Sequence, residues 1–310
     1  MTPAIVVLGS LNMDFVVTVE HLPAAGETVL GNNFKMIPGG KGANQACAAG
    51  KLARDAPVRM VGRVGHDVFA DHLKASLASA GVDVTAVAAS RSLSTGVALI
   101  WVDQAGQNSI VVASGANLAF PAADVEGSRK SFRGAGFALF QLETPIDTVA
   151  SALRIAREEG ARTILDPAPA QRLSADLLAQ VDVLTPNESE ACLLLGRPAS
   201  RVGVGEAEDL AGALLRLGAK SVVLKLGDQG CFFSDGNVSM HSPGFPVKAV
   251  DTTAAGDVFN AALAVALNEE MPLMAALRFA NAAGAISVTR LGAQASVPSR
   301  KEVDQLLAQP

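Results

Sequence analysis

Asp251-Thr252-Thr253-Ala254-Ala255-Gly256-Asp257 places two carboxylates around a run of small residues, directly before the helical pattern Val258 to Leu267. Small residues at a helix start leave backbone N–H groups uncovered, and the helix dipole adds partial positive charge, so such a turn binds anions. A carboxylate beside it can accept the proton of an attacking hydroxyl, as phosphoryl transfer requires. The same pattern also serves as an N-capping Asp followed by a first-turn Asp. The strand-like run Val247 to Val250 leads into this segment.

Pro38-Gly39-Gly40-Lys41-Gly42-Ala43-Asn44-Gln45 has three glycines in four positions, which lets backbone approach a ligand closely, and an Ala-rich helix follows. Gly42 stands where a Walker A loop needs Ser or Thr, and Gln45 stands where G-x-G-x-x-G needs glycine. Asn44 offers a donor and an acceptor to a polyol; a plain helix-start loop is the alternative. Gly9-Ser10-Leu11-Asn12-Met13-Asp14 follows the first strand, where ligands of open α/β sheets bind. Asn12 and Asp14 suit sugar hydroxyls, although both residue types also favour turns. In Thr185-Pro186-Asn187-Glu188-Ser189-Glu190, Asn187 and Glu190 share one face of a helix start. They suit Mg²⁺ held through waters, or a capping box with Asn at the N-cap. Lys225-Leu226-Gly227-Asp228-Gln229-Gly230 joins two strand-like runs, as a nucleotide-bordering loop or a hairpin turn. His21, His66, His72 and His241 lack metal-ligand spacing, and neither G-x-S-x-G nor H-E-x-x-H occurs.

The elements that position these residues alternate. Short branched-rich runs at Ala4–Ser10, Val58–Val64, Phe137–Gln141, Thr163–Asp166, Val181–Thr185 and Ser221–Leu226 read as buried strands. Helical periodicity marks Ala70–Ala80, Ile146–Glu159, Glu206–Leu217 and Ala254–Leu267. Alternation of this kind predicts crossovers and a parallel sheet covered on both faces. Two stretches read instead as hairpins: Phe15–Val19 with Thr28–Phe34 around a Pro23/Gly26 turn, and Gly96–Val102 with Ser109–Val112. Together they predict a small antiparallel sheet whose open face a substrate or a second subunit would cover.

The 310 residues, 49% hydrophobic and 18% charged, can fill a sizeable core and exclude disorder as the main state. A net charge of −5 lacks the footprint of a nucleic-acid binder. Without Lys or Arg before Lys35 there is no charged n-region of a signal peptide, and no apolar run reaches the ~20 residues of a membrane span. Cys47, Cys192 and Cys231 are odd in number and widely spaced. They read as buried thiols of a reducing compartment, so the expected location is the cytoplasm.

In this order, Gly39–Gln45 and Asp251–Asp257 resemble the two signatures of the ribokinase-type (PfkB) carbohydrate kinases. The resemblance runs nearly end to end, through Gly26-Glu27-Thr28, Ser94-Thr95-Gly96-Val97-Ala98, Gln141-Leu142-Glu143, Pro167-Ala168-Pro169-Ala170 and Gly292-Ala293-Gln294. It implies one domain over 1–310: a three-layer α/β/α core with a mostly parallel sheet, and a small β-sheet lid at about 12–38 and 94–115. It implies transfer of phosphate from ATP, with Mg²⁺, to the 5-hydroxyl of D-ribose; 2-deoxyribose or a nucleoside is the alternative acceptor, and a non-catalytic sugar-binding regulator a further one. Asp257 is then the base and Ala254, Ala255 and Gly256 the anion hole. The sugar contacts are Asn12, Met13, Asp14, Gly40, Lys41, Gly42, Ala43, Asn44 and Glu143, with Asn12 favouring a sugar that has a 2-hydroxyl. The nucleotide side is Asn187, Lys225, Leu226, Gly227, Asp228, Gln229, Gly230, Gly256 and Asn281, with Lys225 standing where the family pattern has Thr. Asp251, Thr253, Ser287, Arg290, Gly292 and Ser296 resemble a K⁺ loop, and Glu190 an indirect Mg²⁺ ligand. The family's lids pair in a homodimer.

Overall fold

Branched and apolar residues in short runs build the larger of two sheets. The computed structural model describes residues 2–309. Its nine-stranded sheet is formed by β1 (Ala4–Leu8), β4 (Val58–Val64), β5 (Val82–Ala89), β8 (Ala135–Phe140), β9 (Arg162–Leu165), β10 (Val183–Leu184), β11 (Val222–Lys225), β12 (Cys231–Ser234) and β13 (Ser239–Ser242). The strand order is β13-β12-β11-β10-β9-β8-β1-β4-β5. β5 to β11 run parallel across the sheet, and β12 and β13 close one edge as an antiparallel hairpin extension.

Both faces of this sheet are covered, which explains why its central strands are apolar throughout. Along β1 the side chains alternate between two buried clusters: Ile5 and Val7 enter one, Val6 and Leu8 the other. The first cluster is completed by helices α1 (Lys41–Leu52), α2 (Val68–Ser79), α8 (Ala255–Asn268), α9 (Leu273–Ser287) and α10 (Arg300–Leu307). The second is completed by α3 (Ala122–Gly127), α4 (Ile146–Glu158), α5 (Ala175–Leu178), α6 (Glu188–Leu194) and α7 (Val204–Leu215). Each fully buried Leu, Ile or Val adds about 1.5–3 kcal/mol of transfer free energy, so these clusters hold the three layers together.

The second sheet has the order β3-β2-β6-β7, from β2 (Asn12–Thr18), β3 (Asn32–Gly39), β6 (Gly96–Val102) and β7 (Asn108–Ala113). It is not wholly antiparallel as predicted. Two antiparallel hairpins are joined through a parallel pairing of β2 with β6, Asn12 facing Gly96. The strand predicted at Thr28–Phe34 lies later, at Asn32–Gly39, because the register pairs Asn12 with Gly39; Leu30, outside it, is 88% exposed. Residues Val247–Val250 form no strand: the edge position is already held by β13, and Val250 N–H donates instead to the Val288 carbonyl. β5, unpredicted, pairs only with β4 and alternates apolar with exposed positions along much of its length.

Because β1, β8, β9, β10 and β11 are parallel, Gly9, Gln141, Asp166, Asn187 and Lys225 all emerge past the carboxyl ends of their strands or at them. This edge is the crevice in which open α/β sheets bind ligands.

Candidate active site

Helix α8 begins without a side-chain cap, and its N-cap residue Ala254 adopts φ 60° and ψ 9°. A non-glycine residue in the left-handed region costs free energy and persists where surrounding structure enforces it. Ala254, Ala255, Gly256 and Asp257 line a cleft of about 1080 Å³, together with Lys41, Asp166, Asn187, Lys225 and Asn281. The Ala255 N–H is partly engaged by the Thr252 carbonyl at 3.2 Å, so of the predicted anion hole Ala255 is the least free donor.

Asp257 is 4% exposed and oriented by α1. Asn44 Nδ2 donates to its Oδ2 at 3.0 Å and Gln45 Nε2 to its Oδ1 at 3.1 Å. Burial lifts the Asp257 carboxyl to about 6; Lys41 and the two amides oppose this, and Asp166 adds to it. Burial works against the charge of Lys41, but Asp257, Asp166, Glu143 and Glu190 together hold its ammonium above the ordinary lysine value. A carboxylate tuned near 6 beside a fixed cation suits a general base at neutral pH. Asn44 Oδ1 is buried with no protein partner, which leaves an acceptor for a ligand hydroxyl.

β2 carries Asn12 and Asp14, which with Asn44 and Glu143 are not among the residues lining that cleft. Asn12 Oδ1 accepts from Asn117 Nδ2 at 2.7 Å, leaving its own amide donor uncommitted by that bond. Asn117 also brackets Leu11 through both its N–H and its carbonyl, which fixes the chain as it enters β2. Burial raises Asp14 to about 7, with the Glu143 charge adding. Glu143 accepts from Ser10 Oγ and from Lys41 N–H. Glycine is required here by space: a Cβ on Gly39 would lie 2.2 Å from Asp14 Oδ2, and one on Gly42 2.6 Å from the Gly9 backbone. Gly40 combines φ +88° with equally close backbone neighbours.

Not every predicted residue reaches the site. Met13 alternates with Asn12 and Asp14 along β2, so its side chain is wholly buried in the apolar cluster. Ala43 is likewise buried, and its N–H donates to Ser10 O. Leu226 packs into the opposite cluster. Gln229 does not line the cleft; its carbonyl receives His241 Nε2 at 2.8 Å. Gly227, Asp228 and Gly230 do line it. Asn281 lines it too, and its Nδ2 holds the Ser242 and Pro243 carbonyls. Asn187 and Glu190 form the capping box: each side chain accepts from the other's N–H at 2.8 Å.

Asp251 accepts from Thr253 N–H at 2.9 Å and from Gly292 N–H at 2.8 Å, tying the two loops together. Burial works against its charge, but these donors hold its carboxyl below the ordinary value. Ser287 and Ser296 turn their hydroxyls to the carbonyls of Gly284 and Ala293, and Arg290 pairs with Glu302.

Three residues beyond those predicted complete the centre. Asp166, 2% exposed, accepts from Lys225 Nζ at 2.9 Å and from Gln45 Nε2 at 3.3 Å. Gln141 Nε2 donates to Gln45 Oε1 at 2.6 Å, so the amide that touches Asp257 is itself aligned. The spacing Lys41, Asn44, Gln45 (i, i+3, i+4) marks one helix face and was the signal for Gln45.

The sequence matches the model of the pfkB family carbohydrate kinases over residues 2–300. It is 41% identical over 310 residues to a ribokinase of Haemophilus influenzae, covering 99% of each chain. The fold is similar to a ribokinase crystal structure from Thermotoga maritima, with TM-score 0.89, 40% identity and coverage of 99% and 100%. It is also similar to the Arabidopsis thaliana ribokinase complexed with ribose and ATP, with TM-score 0.93, 34% identity and full coverage of both chains.

Proposed function

The chain belongs to the pfkB family of carbohydrate kinases, and from that membership we propose that it transfers the γ-phosphoryl group of ATP to the 5-hydroxyl of D-ribose. One observation carries this reading: Asp257, buried and aligned by Asn44 and Gln45, sits in the uncapped first turn of α8 beside Lys41, whose backbone N–H donates to Glu143. As the hydroxyl attacks, its proton passes to Asp257, the new O–P bond forms, and the bond to the β-phosphate breaks to release ADP. The base contributes roughly 10²–10⁴-fold. First-turn N–H groups of α8 and the Lys41 ammonium meet charge on the phosphoryl oxygens; one lost donor of this type costs ~3 kcal/mol. Asp14 and Asn12 receive the sugar hydroxyls.

Mg²⁺ belongs to the same reading. Among the described residues there is no cluster of three or more His, Cys, Asp or Glu able to hold a metal. Glu190 at the cleft, with one oxygen engaged in its capping box, suits an ion that keeps its waters and is held mainly by phosphates. Such an ion would shield the triphosphate charge. The charged Asp251 carboxylate and the carbonyl-rich loops it joins suit K⁺, with Asp251, Thr253, Ser287, Arg290, Gly292 and Ser296 around it.

The four-stranded sheet is read as a lid on a single kinase domain over 1–310. It exposes apolar side chains on both faces, Phe34, Met36, Leu99 and Val111 on one and Ile110 and Val112 on the face of Asp14, which favours a homodimer through paired lids; sedimentation at micromolar concentration tests it. A cytoplasmic setting fits three free buried cysteines.

The decisive assay is ADP release from MgATP in K⁺ buffer, with D-ribose, 2-deoxyribose, fructose and adenosine compared as kcat/KM. Preference for ribose upholds the reading; preference for another acceptor overturns the substrate, and no turnover from folded protein overturns the activity.

A further inference from the structure

Lys225 ends β11 with its side chain only 12% exposed, and its Nζ meets Asp166 Oδ1 at 2.9 Å. The same ammonium stands against the first turn of α8: a Cβ built on Gly256 would lie 3.3 Å from Nζ. Asp166 uses its other oxygen on Gln45 Nε2, the amide that also donates to Asp257. One buried carboxylate thus fixes both a cation and the orienter of the base. A buried ion pair is a poor means of stabilising a fold, since desolvation offsets most of the attraction. This pair also lies on the floor of an open cleft rather than in the apolar clusters. An ammonium has three donors, and Asp166 takes one; the cleft beside Gly256 is where the others can act.

We propose that Lys225 is a catalytic residue that neutralises charge on the transferred phosphoryl group, and that Asp166 is the positioning residue that aims it. The inference rests on the kinase reading above. Lys225 transfers no proton: the hydroxyl proton still passes to Asp257, the O–P bond to the sugar forms, and the bond to the β-phosphate breaks. Lys225 and Lys41 flank the phosphoryl group from two elements, β11 and α1, with the N–H groups of α8 between them.

The test compares Lys225→Met, Lys225→Arg, Asp166→Asn and the double variant Lys225→Met/Asp166→Asn with the unaltered chain. Steady-state kcat and KM are measured with ribose and MgATP. Calorimetry then measures binding of ADP and of the non-hydrolysable β,γ-imido analogue of ATP, without sugar. Lys225→Met should lower kcat by about 10²–10³-fold, the loss expected for one electrostatic donor, with little change in the KM for ribose. It should weaken the imido analogue about tenfold or more while changing ADP far less, the gap expected from a charge-assisted contact to the γ-phosphoryl group alone. Lys225→Arg should retain most of the activity. Asp166→Asn should lower kcat and weaken the imido analogue more than ADP, because the ammonium is no longer aimed at the γ-phosphoryl group; a merely structural partner would leave the two nucleotides equally affected. The double variant leaves no unpaired buried carboxylate and so guards against misfolding; its kcat should stay low. A folded double variant with near-normal kcat overturns the proposal, as does equal loss of affinity for ADP and the imido analogue. If the unaltered chain fails to phosphorylate ribose, the ribose reading falls, while the binding comparison still decides the role of Lys225.

Discussion

In the proposed mechanism Asp14 and Asp257 set the acid side of catalysis through two different steps, and the two can be separated. Asp257 must be ionised to take the hydroxyl proton, and burial places its carboxyl at about 6. Asp14 must be ionised to accept two sugar hydroxyls, and burial with the Glu143 charge places it at about 7. At pH 7 about nine-tenths of Asp257 and half of Asp14 are ionised; at pH 5 the fractions fall to about one-tenth and one-hundredth. If both ionisations are required, kcat/KM for ribose drops by up to about 500-fold from pH 7 to pH 5, and its logarithm approaches a slope of two. Asp14→Asn removes one ionisation: the level falls, but the drop over the same interval shrinks to about tenfold. The assay is ADP release under saturating MgATP across pH 5–8, with sugar varied. Titration of the nucleotide is common to both proteins, so it cancels in the difference between their profiles. A slope of one for the unaltered chain, or a slope of two persisting in Asp14→Asn, would refute the argument.

The same two carboxyls act on stability with the opposite sign. Their folded pKa values lie above the ordinary 3.8, so the stability they contribute is present below about pH 4 and lost as pH rises through about 6 and 7. Asp14→Asn should therefore raise the thermal midpoint more at pH 8 than at pH 5, read by calorimetry without ligand. Asp257→Asn should keep ribose and ATP binding but lose about 10²–10⁴-fold in kcat; normal turnover would remove the base assignment. Gly42→Ala should destabilise by about 1–3 kcal/mol, since its Cβ meets the Gly9 backbone at 2.6 Å. Gly127→Ala, with open space around its Cβ, should leave the denaturant midpoint nearly unchanged. Asn12→Leu should cost ribose about tenfold relative to 2-deoxyribose in kcat/KM, the value of one hydrogen bond to a hydroxyl. Equal rates in K⁺, Na⁺ and tetramethylammonium would count against the Asp251 loop as a cation site.

What the sequence made legible follows from how local the signal is. β1 and β4 lie in the buried centre of the sheet, where both faces demand apolar residues, so their runs stand out. β5 is an edge strand with exposed alternate positions, and its pattern is diluted. Thr28-Val29-Leu30 looks like a strand from residue type alone, yet the pairing of Asn12 with Gly39 draws the ladder elsewhere. Asp257 and the uncapped start of α8, the proposed base and anion-binding turn, were readable because they sit in one short segment. Met13 and Ala43 were over-read because a motif marks a stretch of chain, whereas alternation and burial decide which of its side chains face the ligand. Asp166 and Gln141 could be placed only by folding, since their partners lie 59 and 96 residues away.

The contact between Asn44 on α1 and Asp257 on α8 spans 213 residues. α8 and α9 also supply much of the apolar cover on the α1 side of the sheet. During synthesis the polar wall of β2 and the glycine segment emerge early, whereas the base emerges only near the end of the chain. A nascent or C-terminally truncated polypeptide therefore holds part of the proposed sugar-binding surface but neither the proposed proton acceptor nor the α8 turn. On the proposed mechanism, phosphoryl-transfer competence requires α8 docked on α1, and the sheet alone does not supply it.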